Sequence, residues 1–315
     1  MTSSTTTRLK KATVATALFG TLLSASACGQ SLDQAKAGAP GQPAQDSALP
    51  AQDTALADLL PKSIKDKGTI NVAAAVYAPA VMVPPGGGAP TGWDIQITRE
   101  AAALLGLKVN FVIIPFDGVI PGLQAGRYDA ATGEINVTDE RKKSVTFVVN
   151  HVSRDAVMVP ASSSKTSFAS PSDVCGLTIG AALGSSEAAY AEELAAKCNA
   201  GGGAATTVKT FATQATVNLA LSQGRIDANL ASGSQVAYSV DQSKGKFKLL
   251  DLPFAPQIKT GLALPRNADT KAMAKAFEAA TNKLIQTGRL KKILDDLNGG
   301  LGAVDKSEIT PEPVS

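Results

Sequence analysis

The sequence is expected to fold as an α/β protein in two lobes. Short β-branched segments alternate with amphipathic helical ones, an order that builds largely parallel sheets covered by helices. Leu123-Gln124-Ala125-Gly126-Arg127-Tyr128-Asp129-Ala130 is echoed by Leu221-Ser222-Gln223-Gly224-Arg225-Ile226-Asp227-Ala228. Both stretches read as a helix end, a glycine cap, an arginine and then Asp-Ala entering a strand, as if one topology were built twice. The globular stretch, roughly 240 residues, is long for one core and comfortable for two.

In chain order, Arg8, Lys10 and Lys11 precede a Leu/Ala/Thr-rich apolar run, residues 12–27. This is the layout of a secretory signal, shorter than the ~20 apolar residues of a membrane span. The run ends Ala25-Ser26-Ala27-Cys28. Ala-x-Ala suits ordinary signal cleavage, whereas Cys28 after small residues resembles a bacterial lipobox in which that cysteine is lipidated. Ala25 stands where a lipobox usually has Leu. Residues 28–61, rich in Ala, Gly, Pro, Gln and Asp, read as a disordered linker.

From Gly68 the pattern changes. Residues 69–75 read as a strand and 94–105 as a helix stopped by Gly106. A β-branched strand at 109–114 is bounded by Pro115. A short helix at 119–124, a strand at 128–132, a helix starting at 139–144 and a strand at 156–160 follow. The second half adds a strand at 177–181 and a Gly184-Ser185-Ser186 turn. An Ala-rich helix at 187–197, a helix at 217–221 and a strand at 226–230 come next. Residues 271–297 carry apolar side chains at helical spacing, broken at Gly288. Residues 299–315 read as a flexible tail.

Composition narrows function. The formal charge is +3, from 30 Lys+Arg against 27 Asp+Glu. Removing Arg8, Lys10 and Lys11 leaves 27 against 27, so the excess is a targeting signal and no nucleic-acid partner is implied. With three cysteines and one histidine, a Cys/His zinc site is not expected. His151 has no nucleophile motif beside it and reads as structural. Gly86-Gly87-Gly88 lacks the Lys-Ser/Thr of a phosphate loop.

Several segments, in order, resemble the extracytoplasmic solute-binding proteins of ABC importers, family 3, the polar amino acid type. They are Gly92-Trp93-Asp94, Leu105-Gly106-Leu107-Lys108-Val109, the run from Phe116-Asp117-Gly118 through Gly126-Arg127-Tyr128-Asp129, and Val137-Thr138-Asp139-Glu140-Arg141. The resemblance implies a periplasmic-binding-protein-like (type II) fold, two α/β lobes joined by hinge strands near 156–161 and 259–265. Lobe 1 would be 62–157 plus 262–298 and lobe 2 would be 162–258, with the ligand cleft between them. It implies a monomeric receptor with no cofactor and no catalysis. The receptor would be held on the outer face of the cell membrane by lipid on Cys28, or else secreted. It would deliver a small amino-acid-like or amine/carboxylate solute to an ABC permease and its ATPase. A ligand sensor acting on a membrane protein and a dehydratase-type enzyme of the same fold are the alternatives.

Such a cleft must replace the water lost by a zwitterion with charged partners. Carried over by position, Arg141 is the arginine that takes the ligand carboxylate, a task for which a guanidinium offers parallel donors. Asn136 and Ser186 contact the same carboxylate. Tyr77 and Phe116 are aromatic candidates for the cleft wall. Trp93 reads as core and Asp94 as a helix cap. The position of the family's amine-binding aspartate falls on Ser232, so that carboxylate is missing. Glu134 stands where a small residue is usual. It either takes over the cation-binding role, or is paired with Arg141 or a lysine, or is exposed. With Cys28 lipidated in an exported chain, Cys175 and Cys198 are left to form a disulfide, worth roughly 3 kcal/mol by loop entropy; two free buried thiols are the alternative.

Overall fold

The computed structural model describes residues 49–202, 204–297 and 302–313. The expected signal segment, Cys28 and most of the expected linker lie outside the described residues. Helices α1 (Thr54–Ala57) and α2 (Lys62–Lys67) lead into β1 (Thr69–Ala75), α3 (Trp93–Leu104), β2 (Lys108–Ile114), α4 (Val119–Gln124), β3 (Ala130–Thr132), α5 (Asp139–Lys142) and β4 (Val145–Pro160). Then come β5 (Thr178–Ala182), α6 (Ser186–Ala200), β6 (Thr207–Phe211), α7 (Gln214–Ser222), β7 (Ala228–Ser232), α8 (Gly233–Gln242) and β8 (Phe247–Asp251). The chain returns through β9 (Gln257–Pro265) to α9 (Thr270–Gln286), α10 (Arg289–Asp295) and β10 (Ile309–Thr310).

The α/β expectation holds, and the sheet order β2-β1-β3-β9-β4-β7-β5-β6 shows how two lobes arise. Each lobe has a parallel trio: β2-β1-β3 reaches the shared strand β4 through β9, Ala131 opposite Ala263, and β6-β5-β7 pairs with β4 directly through β7. Residues 145–154 of β4 pair with β9, while Asp155 to Pro160 pair with β7 on one side and β8 on the other. The pairing therefore changes lobes between Arg154 and Asp155. The crossing lies earlier than the expected hinge at 156–161, which belongs wholly to the second lobe's sheet. Along β9, residues 257–265 all pair with the first half of β4.

Each lobe has its own core. In the first, Ile70, Val72, Trp93, Ile97, Phe277 and Leu290 pack together. The periodic apolar face of α9 supplies Met273, Phe277, Ala280 and Leu284, all buried. In the second, Val157, Phe168, Ile179, Leu194 and Leu230 form the centre. Trp93 is a core residue, as expected, at 1% exposure.

Two expectations about the ends need correction. The linker does not run to residue 61. Asp53 caps α1 by accepting from Ala55 and Leu56 N–H (3.1 and 3.3 Å), and its own N–H reaches Leu104 O at 2.8 Å. Ala57 and Leu60 are buried in the first lobe. The described part of the tail is also docked. β10 pairs antiparallel with β4, Ile309 opposite Val148. Ser307 is fully buried, its N–H donating to Asn282 Oδ1 at 2.9 Å and its hydroxyl to Val149 O at 2.6 Å. A Cβ on Gly302 would stand 2.4 Å from Val152 O, so this close approach admits only glycine. Strand pairing uses the backbone alone, which is why a polar, Pro-flanked segment could take an open edge of β4.

Cys175 and Cys198 are joined, with S–S 2.01 Å and Cα–Cα 5.3 Å. The bridge ties the loop before β5 to the end of α6, as expected for the pair left after Cys28.

Candidate functional site

The two lobes face each other across β4 and β9, and every expected site residue in the described chain lies in that cleft. β1 ends at the cleft and passes into the turn carrying Tyr77. After β3 the chain makes a sharp turn, Gly133-Glu134, before Ile135-Asn136. Gly133 has φ +126°, and a Cβ there would meet Ala75 O at 2.7 Å. Glu134 itself is left-handed at φ 56°, unusual for a side chain with a Cβ. Asp94 holds this turn: its Oδ2 accepts from Gly133 N–H at 3.0 Å and from Glu134 N–H at 2.6 Å. The N-cap of α3 is Gly92, so Asp94 is a clamp on another loop and not the expected helix cap.

Arg141 lies in α5, the short helix capped by Thr138. Its guanidinium donates to Asn136 O at 2.8 Å and, across the cleft, to Gly184 O at 3.0 Å. It also stacks 5.3 Å above the Phe116 ring. Asn136 is fully buried and donates across the cleft to Ser186 Oγ at 2.7 Å. Its Oδ1 accepts from Thr260 and Ser153 hydroxyls on the two crossing strands, at 2.8 and 3.2 Å. Tyr77 bridges the lobes as well. Its hydroxyl donates to Glu187 Oε1 at 3.4 Å and accepts from Ser232 N–H at 3.0 Å. Burial, followed by the charge of Glu187, pushes the Tyr77 phenol well above its ordinary value, so it stays neutral and keeps its proton to donate. The lobes are thus drawn together by hydrogen bonds contributed from both sides.

Ser232 is fully buried and its hydroxyl caps α8, accepting from Gln235 N–H at 3.4 Å. Glu134 is paired with His151, not with Arg141 or a lysine, and it is not exposed. Its Oε2 lies 3.1 Å from His151 Nε2, with both side chains at 3% exposure or less. His151 Nδ1 meets Asn150 Oδ1 at 2.6 Å, so both ring nitrogens face oxygen, the pattern of an imidazolium. Burial lowers the His151 pKa, but Glu134 and then Asp94 raise it further, and the net shift is upward. The imidazole also packs edge-on against Trp93, 6.2 Å between centroids.

Three further acidic or basic members of the cleft escaped the sequence reading. Glu187 is 4% exposed and accepts from Tyr77 and Ser186. It directly follows the Gly184-Ser185-Ser186 turn, a placement that could have flagged it. Asp155 is 2% exposed. The signal it left is a charge directly before the apolar run Ala156-Val157-Met158. His151 was read as structural, and it is the counter-ion of Glu134.

Two cavities open here. One of about 720 Å³ is lined by Arg141, Ser186, Phe116, Asp155, Tyr190 and Ile258 among others. The other, about 290 Å³, is lined by Tyr77, Glu134, Glu187, Phe116, Ile113 and Gln214 among others. Phe116 and Ser185 border both. The Arg141 guanidinium faces the larger space together with the carboxylates of Asp117, Glu140, Asp155 and Glu193, and the carboxylates of Glu134 and Glu187 face the smaller with the rings of Tyr77 and Phe116. That arrangement suits a small molecule carrying both charge signs.

Residues 70–299 match the model of the bacterial extracellular solute-binding proteins, family 3. The arginine-binding protein ArgT of Corynebacterium glutamicum is 25% identical over 262 residues, covering 82% of this chain and 83% of that protein. The L-arginine-binding protein of Pseudomonas aeruginosa is 27% identical over 241 residues, covering 75% of this chain and 90% of the relative. Among solved structures, an ancestral arginine-binding protein bound to arginine superimposes with a TM-score of 0.65 at 25% identity, covering 73% of this chain and 98% of that one.

Proposed function

Because this chain belongs to the bacterial extracellular solute-binding proteins, family 3, we propose that it captures a basic amino acid or a related amine-bearing carboxylate between its lobes and presents it to an ABC permease. The observation that carries this reading is the charge layout of the cleft. Arg141 stacks on Phe116 with its Nη1 and Nη2 held by carbonyl oxygens, one from each lobe. A ligand carboxylate can replace those two acceptors with a pair of parallel, charge-assisted bonds. Asn136 and Ser186 meet across the cleft and stand ready to share the same carboxylate.

The smaller cavity takes the ligand's cationic side chain. Tyr77 and Phe116 give it aromatic walls, and Glu134 and Glu187 give it negative charge. Glu134 shares its charge with His151, so Glu187 is the stronger attractor there. Binding between lobes that already touch shifts an open–closed equilibrium, and the closed form is the one a permease would read. Anchoring through lipid on Cys28 fits the basic-then-apolar start of the chain and the cysteine after Ala25-Ser26-Ala27.

A thermal-shift screen of amino acids, opines, betaines and polyamines tests the reading, since a ligand that binds only the folded state raises the melting temperature. Basic amino acids are expected among the hits. Arg141→Ala should weaken the best hit by about 30-fold or more, the effect of removing one partner of a buried charge pair. No hit carrying an amine and a carboxylate would end the proposal.

A further inference from the structure

Asp155 stands at the point where β4 leaves one lobe for the other. It is buried, it lines the larger cavity together with Arg141 and Ser186, and neither of its carboxylate oxygens has a hydrogen-bond partner among the described residues. A charged carboxylate buried in this way is unfavourable by several kcal/mol unless something pairs with it. Among the described residues no cation pairs with it, since Arg141 of the same cavity is bonded to Asn136 O and Gly184 O. Glu187 from α6 and Glu134 from the turn after β3 both add negative charge. Directly across the ladder, Asp155 is opposite Ser232 of β7, and cross-strand partners project to the same face. Ser232 is uncharged, and its hydroxyl is committed to capping α8. The remaining wall near it includes Tyr190, Ile258 and Pro256.

A cation brought by the ligand meets this need. Resting on the amino-acid reading above, we infer that Asp155 is the carboxylate that binds the ligand's α-ammonium group, supplied from the crossing strand β4 and not from β7. The α-carboxylate then sits on Arg141, so both charged groups of the zwitterion find opposite charges in one cavity. Because Asp155 lies where the pairing of β4 changes lobes, an ammonium held there is gripped at the hinge itself.

The free carboxyl keeps its proton in the empty cleft. Burial, followed by the charges of Glu187 and Glu134, pushes Asp155 up to about 8. Glu187, Glu134 and Tyr190 interact with it, and Arg141, Asp117, Glu140 and Glu193 line the same cavity. An ammonium binds the ionised form, so binding expels one proton from Asp155 into solution. Between pH 6 and pH 8 the fraction of ionised Asp155 rises about 50-fold, and affinity should rise with it.

Calorimetry with L-arginine and with its des-amino analogue, 5-guanidinopentanoate, tests this on the wild-type chain and on Asp155→Asn. The variant should bind L-arginine at least 30-fold more weakly, while its affinity for the analogue changes less than threefold. Proton release on L-arginine binding, read from the dependence of the enthalpy on buffer, should vanish in the variant. Asp155→Asn removes an unpaired buried acid, so its melting temperature should match or exceed the wild type. If the variant nevertheless does not fold, wild-type proton release and the rise in affinity from pH 6 to 8 decide the matter. Unchanged L-arginine affinity in Asp155→Asn, or no proton release in the wild type, overturns the assignment of Asp155 alone. A wild-type chain that binds none of L-arginine, L-lysine and L-glutamine overturns the amino-acid reading and this inference with it.

Discussion

Replacing His151 by alanine should be among the most damaging single changes in the first lobe. The imidazole is 2% exposed and makes the one side-chain hydrogen bond to the Glu134 carboxylate among the described residues, at 3.1 Å. The other oxygen of Glu134 already lacks a partner among the described residues. Removing the ring leaves a buried acid with no counter-ion, a loss of about 3–5 kcal/mol. The edge-on contact with Trp93 disappears as well, and the space it leaves adds a cavity term. For a chain of this size the melting temperature should fall by roughly 2–4 °C per kcal/mol, hence about 6–20 °C. Urea unfolding followed by circular dichroism gives the free energy directly. A double variant, Glu134→Gln with His151→Gln, removes both charges and should recover a good part of the loss. With the single variants Glu134→Gln and His151→Gln completing the cycle, the coupling energy should be about 2 kcal/mol or more. The pH dependence has a definite sign. The folded pKa of His151 is raised, so the stability its charge contributes is fully present below its ordinary value near 6.5. That contribution fades as pH climbs through the raised folded value, so the gap between wild type and His151→Ala should narrow in alkaline solution to the packing loss alone. A His151→Ala chain within about 1 kcal/mol of wild type, or a coupling energy of zero, would show that the pair does not hold the turn.

Two further changes address features outside the cleft. Replacing Cys175 and Cys198 with serine opens a loop with a sequence separation of 23. The loss should be about 3.5 kcal/mol by the loop-entropy model, seen as a lower urea midpoint for the double variant than for the oxidised wild type; equal midpoints would refute it. Ser307→Ala should cost about 1–3 kcal/mol, because Val149 O would lose the buried hydroxyl that donates to it. A neutral result in thermal melts would mean that residues 302–313 do not grip β4 in solution.

Much of the architecture is legible in the sequence. Alternating apolar periods and glycine stops located β1, β2, α3, α6 and α9 to within a few residues, because those signals are local. The echo around Gly126 and Gly224 correctly indicated two similar lobes. β4 was seen only at its last residues, 156–160, since a strand that is lobe-1 sheet at one end and lobe-2 sheet at the other carries no single burial period. α1 and β10 were missed because each is only a few residues long and is stabilised by what it docks against.

The candidate site divides along the same line. Arg141, Asn136 and Ser186 were found from ordered motifs, and their convergence follows from where those motifs sit in an α/β lobe. By itself the sequence determined that the chain has two α/β lobes and a cysteine pair, and it pointed to a cleft arginine with no acidic residue at position 232. Only the tertiary structure decided the settings of the other carboxylates near that position. Glu134 and His151 are 17 residues apart, and Asp155 and Ser232 lie much farther apart along the chain, yet one pair is a buried ion pair and the other a cross-strand pair. Charges interact through space and through the dielectric they are buried in, so whether a carboxylate is neutralised, protonated or left awaiting a cation depends on its folded neighbours.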